Sequence, residues 1–110
     1  MTSHLEQKFD DLWTELYPDI DLEAEVRIIP NRRFRHDYIH KKSKVAIEIN
    51  GGTYIRGRHT RGKALENEYT KVMLAAKQGY LTLFLSANQI TEDYLKEIKQ
   101  IILDRCCHCI

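Results

Sequence analysis

The run Val45-Ala46-Ile47-Glu48-Ile49-Asn50, closed by Gly51-Gly52, constrains the fold of this chain more than any other stretch. It has strand length and is apolar at both parities, the mark of a strand covered on both faces. A strand of that kind sits at the centre of a sheet with helices on either side. Its single acid, Glu48, loses hydration there and needs a replacement, for which a divalent cation is the obvious candidate. The double glycine admits backbone conformations closed to other residues, so the chain can turn sharply beside the acid.

The flanking segments supply the rest of such a sheet. Leu5, Phe9, Leu12, Trp13 and Leu16 recur at helical spacing between Ser3 and Tyr17. Ser3 with Glu6 fits a capping box, and Pro18 stops this first helix. Residues 25–29 and 34–40 read as two strands, the first ended by Pro30-Asn31. A second helix is expected over 61–78, with Leu65, Tyr69, Val72, Met73 and Ala76 on one face and Gly79 as its stop. Residues 53–60 before it read as a basic loop. Residues 80–85 form a fourth strand, which the intervening helix makes parallel to the third. Thr91 then caps a last helix carrying Leu95, Ile98, Ile101 and Ile102. The order αβββαβα gives an α/β fold, one mixed four-stranded sheet flanked by helices.

With 110 residues the chain is expected to be one domain, 1–105, followed by a tail. That tail, 106–110, holds all three cysteines, Cys106, Cys107 and Cys109, too tightly spaced for separated zinc-ligand pairs. It is expected to be frayed and reduced. No apolar run approaches the roughly 20 residues of a membrane helix, and a cytosolic location is expected.

The formal net charge is only +1, but the signs are unevenly placed. Residues 27–44 hold Arg27, Arg32, Arg33, Arg35, Lys41, Lys42 and Lys44, and residues 56–63 hold Arg56, Arg58, Arg61 and Lys63. These blocks flank Asp37 and Glu48, while most acids lie in the terminal helices. Such a distribution draws an anionic polymer toward a site that is itself acidic.

The geometry of the acid pair turns on one loop. If Lys41 to Lys44 form a four-residue turn, His40 opposes Val45, and Asp37 faces Glu48 with β-carbons roughly 5 Å apart. A turn one residue longer or shorter puts the two acids on opposite faces. Two carboxylates that close repel unless protonated, paired with the nearby arginines or bridged by a cation. Magnesium or manganese suits such oxygen ligands better than zinc.

Several segments together resemble a known group. Glu6 on the first helix, Arg33-Phe34-Arg35-His36-Asp37, Ala46 to Gly52, Gly57-Arg58-His59-Thr60-Arg61-Gly62, and Lys71 before Gly79-Tyr80 resemble the PD-(D/E)XK nuclease superfamily. Within it, the likeness is to small phage and bacterial endonucleases of the very-short-patch-repair type, and it spans Ser3 to Leu85. The resemblance implies an αβββαβ restriction-endonuclease-like core in which Asp37 and Glu48 hold a catalytic Mg2+ or Mn2+, with the Ile49 carbonyl as a further ligand. It makes Glu6 the first-helix acid of the site, although the capping box explains Glu6 equally well. A bacterial or phage-infected cytosol is the setting it implies.

Asn50 departs from that pattern, because it stands where the superfamily's E-x-K has lysine. An amide can orient water but supplies no positive charge. Lys71 on the second helix is the first replacement, with pairing to Glu68 at i, i+3 as its ordinary alternative. His59 is the second, as a group able to move a proton near neutral pH. Arg33, Arg35, Arg56, Arg58, Arg61 and Lys63 are expected to grip DNA phosphates. His36 is left out of the site, because strand alternation turns it to the other face.

The sequence thus points to a metal-dependent DNA endonuclease, expected to act as a homodimer because a duplex overhangs a chain of this size. Its target is duplex or branched DNA, cut in the manner of a junction resolvase or of a site-specific nicking or homing enzyme. The alternative is a catalytically inactive nucleic-acid-binding module of the same fold.

Overall fold

A computed structural model describes residues 3–50 and 58–107, with 58–61 and 107 described by their backbone alone. The elements run α1 (His4–Leu16), β1 (Glu23–Val26), β2 (His36–His40), β3 (Val45–Asn50), α2 (Arg58–Lys77), β4 (Leu81–Ser86), a short 3-10 turn (Ala87–Gln89) and α3 (Glu92–Cys107). They form the expected αβββαβα order around one mixed sheet, with strand order β1-β2-β3-β4. β1, β2 and β3 pair antiparallel, and β3 and β4 pair parallel from Val45↔Leu81 to Asn50↔Ser86.

The capping box at the start of α1 is present. The Glu6 amide donates to Ser3 Oγ at 3.1 Å, and the Ser3 amide donates to Glu6 Oε2 at 3.5 Å. From this start α1 turns Phe9 and Trp13 into the core, where the Phe9 ring lies 4.8 Å from that of Tyr38. On the same side of the sheet, Tyr38, Val45, Ile47 and Leu85 meet Leu95, Ile98 and Ile102 of α3. Alternation sends these strand residues to one face. That face is the hydrophobic core.

The opposite face carries Asp37, Glu48, Phe84 and Ala46, and α2 covers it. Here the expected packing is overturned. The stripe that the helical period turns inward, Leu65, Tyr69 and Met73, is exposed, with Tyr69 61% and Met73 66% accessible. Lys71 and Ala75 are buried in its place. The reason is electrostatic: a sheet face bearing buried carboxylates needs a cation more than another leucine.

Three boundaries also shift. β1 starts at Glu23 and ends at Val26, so Arg27 to Ile29 lie outside the ladder, ahead of a turn in which Asn31 has φ 63. α2 begins at Arg58, which places 58–60 on a helix where a loop was expected, while 51–57 lie outside the described residues. α3 runs on to Cys107, so Cys106 and Cys107 belong to a helix and not to a frayed tail. Cys106 packs at the margin of the core, and the adjacent Arg105 donates to the Ser43 carbonyl at 2.7 Å and the Gly79 carbonyl at 3.0 Å, which holds this end of α3 in place. Cys109 lies outside the described residues. Gly79, at φ 86, ends α2 as expected, and a β-carbon there would meet the Lys44 side chain at 3.1 Å.

Candidate active site

The turn at Lys41–Lys44 has the four-residue length on which the acid pair depends. The Lys44 amide donates to the Lys41 carbonyl at 3.1 Å, Ser43 bonds back to His40, and His40 opposes Val45. Continuing that register from Tyr38↔Ile47 by one residue sets Asp37 opposite Glu48. The two acids share a face and interlock through backbone donors. The Asp37 amide donates to Glu48 Oε2 at 2.9 Å, and the Ile49 amide donates to Asp37 Oδ2 at 2.8 Å.

Lys71 completes the group from α2. Its Nζ donates to Glu48 Oε1 at 2.5 Å, with Glu48 only 4% and Lys71 only 7% exposed. Each oxygen of Glu48 therefore has a donor. Burial still pushes its carboxyl up to about 7, against the opposing charge of Lys71. Asp37 is also raised, first by burial; the Ile49 amide opposes this, while the negative charges of Glu6 and Glu68 add to it. This is a site with more negative charge than it has counter-charge.

A cavity of about 380 Å³ opens beside the pair. Glu6, Asp37, Glu68 and Lys71 line it together with Glu25, Arg33, Arg35 and His36. Glu6 thus serves the capping box and the cavity at once. Arg35 reaches Glu25 at 3.4 Å, and both side chains are well exposed. Asn50 lines a neighbouring, largely apolar cleft of about 710 Å³ with Leu65, Tyr69, Val72 and Phe84, and Glu68 borders both spaces. Lys63 is exposed on α2. Arg56 and the side chains of Arg58, His59 and Arg61 lie outside the described residues.

His36 and Glu68 are among the cavity residues that the sequence does not assign to the site. His36 is fully buried and lines the cavity although alternation assigns it to the other face; it is the first residue of β2, where the strand period has only begun. Burial, then Lys71, lowers its pKa to about 4, so the ring is neutral at pH 7. The Val26 backbone is near, but neither ring nitrogen makes a hydrogen bond of good geometry. Glu68 is the other. Its position three residues before Lys71 was a signal that it shares the helix face turned to the site, but Lys71 bonds Glu48 instead of Glu68.

As they stand, no three acidic, histidine or cysteine side chains among the described residues are grouped closely enough to hold a metal ion. The donor chemistry nonetheless fits a hard divalent cation. Asp37, Glu48, Glu6 and Glu68 offer only oxygen, and Glu68 Oε2 is buried without a hydrogen-bond partner.

Neither a protein-family model nor a curated protein sequence matches the chain. Among solved structures, the catalytic domain of the homing endonuclease I-Bth0305I is similar, with a TM-score of 0.63 at 17% sequence identity, covering 99% of both chains. At that identity the likeness is one of fold, and it extends over essentially the whole of the chain.

Proposed function

We propose that this chain is a metal-dependent DNA endonuclease of the PD-(D/E)XK kind, resembling the very-short-patch-repair type. The observation that carries the reading is the buried Glu48–Lys71 pair interlocked with the half-buried Asp37, in which a helix lysine provides the charge that Asn50 lacks. The fold it shares with a homing endonuclease catalytic domain adds support.

In this reading Asp37 and Glu48, with the Ile49 carbonyl, hold Mg2+ or Mn2+. When bound, the ion lowers the pKa of water and offsets charge building on the phosphate. The protein does the rest. Glu48 holds the Lys71 ammonium at the site, where it favours an anionic transition state in surroundings of low dielectric. Arg33 and Arg35 border the cavity and are placed to take backbone phosphates on that side, and Arg56, Arg58, Arg61 and Lys63 belong to the same DNA-gripping set. His59 remains the candidate for moving a proton at the leaving oxygen. Glu6 adds negative charge at the cavity and Asn50 orients solvent beside it.

Phosphate contacts position DNA without reading its sequence, so this set suits a structure-selective nuclease or a nicking enzyme alike. The exposed Leu65, Tyr69 and Met73 of α2, with Phe84, form an apolar face that a second copy would cover in a homodimer. The deciding assay incubates wild type and Glu48→Ala with plasmid, linear and four-way-junction DNA, in magnesium, manganese or chelator. Wild type is expected to cut only with metal, and Glu48→Ala to lose at least about 100-fold in rate. A wild-type protein that binds DNA and cuts none of it with either metal rules the reading out, in favour of a binding module.

A further inference from the structure

Glu68 and Lys71 are one helical turn apart, and both project into the polar cavity from α2. The ammonium goes across to Glu48 on the sheet, and Glu68 has no ion-pair partner among the described residues. Its Oε2 is shut off from solvent and has no hydrogen-bond partner. A carboxylate oxygen buried without a hydrogen-bond donor is a place that a cation can satisfy. The negative charge of Glu68 also weighs on Asp37, which lines the same cavity.

A second buried group faces the same space. His36 is fully buried and opens on the cavity, with neither ring nitrogen partnered. One cavity therefore presents a bare carboxylate oxygen and a buried imidazole whose ring nitrogens make no hydrogen bond of good geometry. A hydrated divalent cation answers both, since the ion takes the carboxylate directly and its water hydrogen-bonds to the imidazole. A monovalent side-chain donor answers only one, and Lys71 is already engaged with Glu48.

We propose that Glu68 is a direct ligand of the site's divalent cation, in the cavity that Asp37 also lines, so that α2 contributes a carboxylate as well as the lysine. The proposal rests on the metal-dependent reading above. It also accounts for the inward turn of the polar side of α2: the helix brings both an anion for the metal and a cation for Glu48.

The test is Mn2+ binding by calorimetry on the whole protein without DNA, comparing wild type, Glu68→Gln and Glu66→Gln. Glu66 is exposed on the same helix and controls for a lost charge. Glu68→Gln is expected to weaken Mn2+ binding by about tenfold or more, with Glu66→Gln unchanged. Metal-free melting of Glu68→Gln is expected no lower than that of wild type, because the change removes an unpaired charge; a lowered melting point together with unchanged Mn2+ affinity assigns Glu68 a structural role and overturns the proposal. If wild type and Glu68→Gln bind Mn2+ equally and both cut DNA with it, the Glu68 assignment falls while the nuclease reading stands. If wild type binds no Mn2+, the metal-dependent reading falls, and the proposal with it.

Discussion

The two faces of the sheet are built on opposite principles. One face, under α1 and α3, is dry and aromatic, with Phe9, Trp13, Tyr38, Ile47 and Leu95 closed from solvent. The other, under α2, buries Glu48 and Lys71 beside a half-buried Asp37 and leaves much of its helix's apolar surface exposed. Residues one apart on the same strand serve the two ends: Ile47 faces the core and Glu48 the site, while Tyr38 faces the core and Asp37 the site. The fold can hold desolvated charge on one side because the other side supplies the hydrophobic free energy that keeps the strands in register.

The broadest way to break that division is to truncate each side in turn. Phe9→Ala, on the dry face, is expected to cost about 3–5 kcal/mol in urea unfolding. The protein that remains folded is expected to cut DNA at a near-normal rate. Asp37→Asn, on the wet face, is expected to abolish cleavage with a much smaller change in stability, because it removes a charge that burial disfavours. A large stability loss for Asp37→Asn would mean that the polar face is part of the scaffold after all.

The Glu48–Lys71 pair sharpens the point, because there the wet face itself contributes to folding. Lys71→Met leaves a buried carboxylate without its cation and is expected to cost about 3 kcal/mol at pH 8. Adding Glu48→Gln removes the orphaned charge as well, and the double variant is expected to return to within about 1 kcal/mol of wild type while remaining inactive. A double variant as unstable as Lys71→Met alone would show that packing by the lysine stem, not the ion pair, holds α2 on the sheet.

How much of this was legible in the sequence follows the same division. The dry face was readable because apolar periodicity reports it directly, as Phe9 and Trp13 on α1 and Leu95, Ile98 and Ile102 on α3 show. The pairing of Asp37 with Glu48 was readable only through the length of the Lys41–Lys44 turn, which fixes parity. The inner face of α2 was not readable from periodicity. Leu65, Tyr69, Val72, Met73 and Ala76 make the stronger apolar stripe, but desolvated acids on the sheet select Lys71 and Glu68 instead. His36 escaped because alternation is a property of paired strand interiors, and it stands at the strand's first position.

The smallest expected effect is a pH dependence hidden by cancellation. Glu48 is raised from 4.5 to about 7, and Asp37 is raised too, so the folded chain keeps protons that the unfolded chain releases. Their contribution is fully present below about pH 4 and is lost as pH rises through the folded pKa. His36 is lowered from 6.5 to about 4, so the unfolded chain takes up a proton that the folded chain refuses. Its contribution is present above pH 6.5 and is lost as pH falls toward 4. The two slopes oppose each other, and metal-free wild type is expected to melt at nearly the same temperature across that range. Each single substitution exposes the other slope. In chelator, Glu48→Gln is expected to gain a few degrees between pH 4.5 and 6.5, and His36→Leu to lose a few degrees between pH 5 and 7.5. Flat profiles in both variants would mean that neither group is as desolvated as its burial implies, and the wet face would be wetter than the comparison with the core requires.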